Sequence, residues 1–296
     1  MCHRLRVVLL LVVLLASCQT WTATPVGESP HESLDAVLWM RTSAEYLALT
    51  EQAYRLAMMQ LDHALKPENA VWTAATEQVR DYENLPPAVV LDIDESVLDT
   101  GAFQAQIVKA DDRFRRAAWN GWVREQKARA VPGAVEFARY AQAKDVRLFY
   151  VTNRDWALED ATRQNLEDLG FPVDADGANL LSKGERAGWE LDKTSRRQFI
   201  AASHRVVLIV GDDLNDFLPG SQTEPRQRAA LARRWRSYWG TRWIVMPNVV
   251  YGGWERSLYD FDGALPHPQV LRRKYDVLEA LDEPAAIEAP GSPLQR

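Results

Sequence analysis

Two carboxylates stand two residues apart where an apolar run stops: Ala88-Val89-Val90-Leu91 is followed by Asp92, Ile93 and Asp94. A second apolar run, 146–151, stops at Thr152-Asn153-Arg154. A third, Val206 to Val210, stops at Gly211-Asp212-Asp213, with Asp216 shortly after. Any one of them alone reads as a polar turn after a buried strand. Brought together, they would crowd several carboxylates around a hydroxyl and an amide, and such acids repel unless a cation holds them. Hard oxygen donors of this kind suit Mg²⁺, which takes few carboxylates and keeps several waters. Lys193, at the start of the segment that feeds the third run, is the cation a phosphate in such a site needs.

The elements that must position these residues follow from periodicity. The apolar runs are short and alternate with helical segments, which predicts a parallel sheet covered on both faces. In an open parallel sheet, ligands bind outside the carboxyl ends of the strands, so the three polar clusters meet in one crevice. The expected strands are 88–93, 146–151, 178–181, 206–210 and 243–246. Helices are expected near 112–126, from Val131-Pro132-Gly133 to 143, over 156–169, from an Asp192 N-cap to 203, and over 226–238 and 267–281. Upstream, 33–66 carries apolar residues at helical spacing and reads as one helix; Asp62 and His63 on it read as a solvated face or a packed pair. The expected organisation is a helical region over 33–80, an α/β core over 81–281 with a helical insertion near 100–130, and a disordered tail over 282–296.

The chain has 296 residues and a net charge of −6, with nothing of the basic face that nucleic acid requires. Its start has another purpose. A basic opening, Met1 to Arg6, leads into an apolar run from Val7 to Ala16. That is too short to span a bilayer and reads as an export signal over 1–17. Leu15-Ala16-Ser17-Cys18 resembles the bacterial lipobox, which implies cleavage before Cys18, lipid attachment to it, and a tether over 18–32. Gln19 after the cysteine favours the outer membrane. Cys2 and Cys18 are the chain's two cysteines, so the processed body would hold neither a disulfide nor a free thiol.

Four ordered segments carry a family resemblance: Asp92-Ile93-Asp94-Glu95-Ser96, Val151-Thr152-Asn153-Arg154, Asp192-Lys193-Thr194-Ser195-Arg196-Arg197 and Gly211-Asp212-Asp213-Leu214-Asn215-Asp216-Phe217. They resemble the motifs of the haloacid dehalogenase-like phosphohydrolases. More narrowly, the chain is similar to the class C, lipoprotein-type bacterial acid phosphatases, also called lipoprotein 5′-nucleotidases. Trp39-Met40, Ala44-Glu45-Tyr46, 131–134 and the segment from Pro247-Asn248 to Glu255 extend the likeness over residues 35–260.

The resemblance implies a Rossmann-like α/β fold and a Mg²⁺-dependent phosphomonoesterase working through an aspartyl-phosphate. It makes Asp92 the nucleophile and Asp94 the general acid and base. Asp92, the Asp94 carbonyl and Asp212 hold the metal, with Asp216 behind it. Thr152, the Asn153 amide and Lys193 bind the phosphoryl group. Lys183 competes with Lys193, but lacks its motif context. Tyr251, in the glycine-rich 247–255 loop, and Trp119, on the insertion, are expected to face each other and stack a nucleobase, which implies nucleoside 5′-monophosphates as substrates. Arg154 could reach substrate or pair with Asp155 or Asp160. A ligand-binding or storage lipoprotein is the alternative from another class, and a phosphotransferase would use the same intermediate.

Overall fold

The computed structural model describes residues 30–79 and 81–281. The expected signal, the Cys18 anchor, most of the tether and the tail from 282 lie outside the described residues. Two helices, α1 (Leu34–Thr42) and α2 (Ala44–Ala64), precede β1 (Pro87–Leu91). Next come β2 (Leu98–Asp99), α3 (Gly101–Lys109), α4 (Arg116–Arg124) and β3 (Arg129–Ala130). The chain continues through α5 (Ala134–Gln142), β4 (Arg147–Asp155), α6 (Glu159–Leu169), β5 (Leu180–Lys183), α7 (Thr194–Ala201) and β6 (Arg205–Gly211). It finishes with α8 (Leu214–Phe217), α9 (Pro225–Arg234), β7 (Trp243–Val245), α10 (Gly253–Arg256) and α11 (His267–Leu281).

The five longer strands form one parallel sheet in the order β5-β4-β1-β6-β7, the α/β architecture that the alternating pattern predicts. Strand side chains alternate between faces, and the core divides accordingly. Val89, Leu91, Leu148 and Tyr150 pack under α2, α5 and α6 with Tyr54, Leu61, Phe137 and Leu166. Ala88, Val90, Phe149 and Val151 pack on the other face with Ile200, Phe217 and Trp243. Both faces are buried, which is why these strands are apolar throughout. β1 is central, paired with β4 on one side and β6 on the other. The ends of these three neighbouring strands carry the three polar clusters.

Several local expectations change. The helix expected over 33–66 breaks at Ser43, whose backbone is extended (ψ 142°) and whose hydroxyl accepts the Tyr46 N–H at 3.0 Å as the N-cap of α2. Apolar spacing continues across the break and conceals it. The helical stretch expected near 112–126 is α4; a further helix, α3, precedes it, and the antiparallel β2–β3 pair brackets both. Asp192 does cap α7, accepting the Thr194 N–H at 2.7 Å, but Lys193 occupies the N-cap position itself. Among the described residues, no helix is long and apolar enough to cross a membrane.

Candidate active site

The end of β1 delivers Asp92 to the floor of a cavity of about 800 Å³. Asp212 and Asp216, following β6, reach the same point. Oxygens of the three carboxylates lie within 4.8 Å of one another. Asp216 is brought back by the capping box of α8, in which its Oδ2 accepts the Asp213 N–H at 2.9 Å. Lys193, buried at the start of α7, ties the cluster: its Nζ donates to Asp92 and, at 2.6 Å, to Asp216 Oδ1. Lys183 is elsewhere, paired with Asp155 at 2.6 Å.

The electrostatics follow from burial and proximity. Burial pushes Asp92 up to about 7; Lys193 opposes this, and Asp216 and Asp94 reinforce it. Burial also drives Asp212 well above the usual carboxyl range, helped by Asp92 and Asp216. Burial would lower Lys193, but Asp216 and Asp92 outweigh it and hold the ammonium charged. With all three carboxylates ionised, as a bound cation would hold them, the single ammonium leaves two negative charges in excess. Asn248 Nδ2 donates to Asp212 Oδ2 at 2.7 Å, and the same side chain's oxygen accepts the N–H groups of Val250 and Tyr251.

Asp94 lies one pleat beyond Asp92 and its carboxylate turns to Arg154. The guanidinium donates from Nη2 at 2.7 Å and from Nε at 3.1 Å, with a further bond to Thr162 Oγ1 at 3.1 Å. Arg154 is 2% exposed, so its alignment is fixed by packing, and it lies over the Trp119 ring, 5.5 Å from its centroid. It pairs with neither Asp155 nor Asp160. Thr152 is fully buried; its hydroxyl accepts the Arg154 N–H at 3.0 Å and its carbonyl accepts from Arg196. Asn153 lines the cavity, its side chain held by Arg196 at 2.8 Å and by the Leu191 carbonyl at 3.1 Å.

Tyr251 and Trp119 line the same cavity. Tyr251 is anchored by its hydroxyl, which hydrogen-bonds Glu95. Trp119 is also core: it is stacked on Trp122 at 5.4 Å and set edge-on to Phe103 at 5.1 Å. One face is therefore committed to the insertion.

Three participants escape a sequence reading. Glu95 is 1% exposed, has a left-handed backbone (φ 61°), and takes the Thr100 amide at 3.1 Å as well as Tyr251. Burial, then Asp94, raises its carboxyl well above the usual range. Tyr46 of α2 places a buried hydroxyl, without a partner among the described residues, where Glu95, Asp99 and Asp212 all act on it. Arg196 buttresses Thr152 and Asn153 from behind. For Tyr46 the one available signal was its place in a recognisable motif.

The donor set suits a divalent cation. Three hard carboxylate oxygen donors face one point, and when ionised they leave the cluster short of two positive charges.

The acid phosphatase family model, HAD superfamily subfamily IIIB, matches residues 13–254. The chain is similar to the class C acid phosphatase from Bacillus anthracis, solved with tungstate bound: 31% identity, a TM-score of 0.73, covering 83% of this chain and 96% of that one. A second structure of that enzyme gives the same identity, coverage and TM-score.

Proposed function

Because this chain belongs to subfamily IIIB of the HAD superfamily, the acid phosphatases, and is itself a phosphomonoesterase, we propose that it hydrolyses nucleoside 5′-monophosphates in a Mg²⁺-dependent reaction through an aspartyl-phosphate. The observation that carries this reading is the floor of the cavity: Asp92, Asp212 and Asp216 around Lys193, with Asp94 clamped by Arg154 beside them.

Asp92 is the nucleophile. β1 is hydrogen-bonded on both sides, which holds its end in place, and the carboxylate is presented to the phosphorus of a bound ester. The Ser96 hydroxyl donates to Asp92 Oδ2 at 3.0 Å and Lys193 Nζ to Oδ1, so both oxygens of the nucleophile are held in place. Asp94 protonates the departing alkoxide and then takes a proton from the water that cleaves the aspartyl-phosphate. Lys193 and the Asn153 amide hold the phosphoryl oxygens. Asp92, the Asp94 carbonyl and Asp212 would hold Mg²⁺, with Asp216 adjacent. The ion supplies charge that offsets repulsion between Asp92 and an anionic substrate.

Tyr251 and Trp119, the latter stacked on Trp122 and overlain by Arg154, form walls for a flat base. Each stacking partner contributes roughly 1–3 kcal/mol with little choice among bases. Upstream, Cys18 carries lipid and holds the protein at the outer membrane.

The test is a panel of phosphomonoesters assayed with and without Mg²⁺ on the wild type and on Asp92→Asn. We expect Mg²⁺-dependent release, preference for nucleotides, and no turnover by the folded variant. Substantial release by Asp92→Asn would remove the mechanism. Equal losses on nucleotide and alkyl phosphate in Tyr251→Ala would remove the base site and leave a general phosphomonoesterase.

A further inference from the structure

The floor accounts for a scissile phosphate, but not for the positive charge along the cavity walls. Arg113, Arg115 and Arg116, in the segment entering α4, line one wall, and Arg256 lines the wall where α10 ends. Their counter-ions can be traced one by one. Asp112 is taken by Arg115 at 2.8 Å. Glu32 and Glu255 share Lys274 at 2.7 and 2.6 Å, so that trio keeps one negative charge. Arg116 shares Asp155, at 3.0 Å, with Lys183, so that trio keeps one positive charge.

Arg113 and Arg256 have no carboxylate within 4.0 Å among the described residues. Arg256 lies over the Phe261 ring at 5.5 Å and adds its charge to the burial that lowers the Arg228 pKa. Against these cations the rim offers one acid without a cationic partner, Asp262, which accepts the Ala264 N–H at 2.9 Å. The wall of Arg113 and Arg116 therefore keeps two positive charges, and Arg256 keeps a guanidinium without a carboxylate partner although its own wall is acidic on balance.

A neutral leaving group, whether a sugar, a nucleoside or an alkyl chain, gives guanidinium groups nothing to bind. A phosphate does, because its oxygens match the planar donor fork. At about 800 Å³ the cavity has room beyond a single phosphate and its ester oxygen. Arg256 also falls just past residue 254, where the family match ends, and Arg113 lies on the helical insertion. The feature is built from parts of this chain outside the four motifs.

We propose that Arg113, Arg116 and Arg256 form a second phosphate subsite, and that the preferred substrates carry another phosphate on the leaving group. A nucleoside 3′,5′-bisphosphate is one such ester, and an alkanediol bisphosphate is a simpler one. The inference rests on the phosphate site proposed above and specifies the substrate class it takes.

The experiment compares kcat/KM for adenosine 5′-monophosphate with adenosine 3′,5′-bisphosphate, and for hexanediol monophosphate with its bisphosphate, following products by chromatography. Two partly exposed ion pairs of a few-fold each compound to a preference of about tenfold for the bisphosphate. In Arg113→Gln/Arg256→Gln this ratio should fall toward unity, and in the wild type it should shrink as salt rises. A wild-type ratio near one would overturn the proposal, as would a ratio that survives in the double variant. So would an equal fall in Arg233→Gln/Arg234→Gln, which removes the same charge from α9, since that result would mean long-range attraction alone. A wild type inactive on all four esters would refute the phosphate site itself. A wild type active on the monophosphates with a ratio near one refutes only the second subsite.

Discussion

Replacing Lys193 by Met keeps a buried stem of similar length and removes the cation among three carboxylates. The Nζ–Oδ1 separation to Asp216 is 2.6 Å; at an effective dielectric of about 20 this is a gross attraction of roughly 6 kcal/mol. Desolvation of the ammonium offsets several kcal/mol of that. Breaking a buried pair from one side nevertheless costs about 3–5 kcal/mol, because the abandoned carboxylates stay buried. In a chain of this size each kcal/mol is worth about 2–4 °C, so metal-free Lys193→Met should melt about 6–20 °C below wild type.

Two further signs are fixed. The excess negative charge rises from two to three, so Mg²⁺ should stabilise the variant more than the wild type. Lys193 pulls the Asp92 pKa down, so its loss raises it. An attacking carboxylate is lost as pH falls through its folded pKa, and the acid limb of the pH–rate profile should therefore move to higher pH. The assays are differential scanning calorimetry with chelator and with Mg²⁺, and residual turnover across pH at saturating metal. A metal-free variant as stable as wild type, with an unmoved acid limb, would refute the assignment of Lys193 as the charge that holds this cluster.

Gly211→Ala should be costly for a steric reason: its Cβ would lie 2.5 Å from Asp216 Cβ and 2.6 Å from its Cγ. We expect a loss of about 1–3 kcal/mol in urea denaturation, with a fall in kcat as Asp216 is pushed off Lys193. For Glu95→Gln the sign depends on pH. Burial raises the folded pKa of Glu95 well above the ordinary glutamate value of 4.5, so its favourable contribution is complete below that value and is lost as pH rises through the folded one. The glutamine keeps the Thr100 and Tyr251 contacts without a charge. Urea midpoints of variant and wild type should converge in acid and separate in the variant's favour toward alkaline pH; a constant difference would mean that Glu95 is ionised throughout.

The central strands were legible because burial on both faces imposes an apolar run, and the run's abrupt end marks where the sheet gives way to solvent or ligand. Asp92, Asp212, Asp216 and Lys193 could be brought together on paper for that reason. β2 and β3 could not be found, since two residues carry no periodicity. Ser43 was hidden because a cap interrupts the backbone without interrupting the apolar spacing. Arg154 was named but its partner was not: Asp94 is 60 residues away, while Asp155 and Asp160 are nearby in sequence. Glu95 reads as one more acid in an acidic turn until its left-handed backbone turns it inward. Trp119 was half legible, as a wall of the cavity and as part of the aromatic core behind it.

His31 and Glu32 are fastened to the mouth of the cavity, His31 through its ring nitrogen to the Asp112 carbonyl at 2.9 Å and Glu32 through Lys274. The described chain thus starts at the rim. On the proposal that Cys18 carries lipid, the dozen residues from it to Pro30 would make a leash that reaches at most about 40 Å when fully extended. That leash would be fixed beside the entrance instead of at the back of the molecule. A leash attached there keeps the entrance close to the surface it is tied to. Small diffusible esters reach it from the side, whereas a bulky polymer must squeeze between enzyme and membrane. The attachment point would then act as a size filter, and cutting the leash would widen the range of molecules admitted without altering a single residue of the cavity.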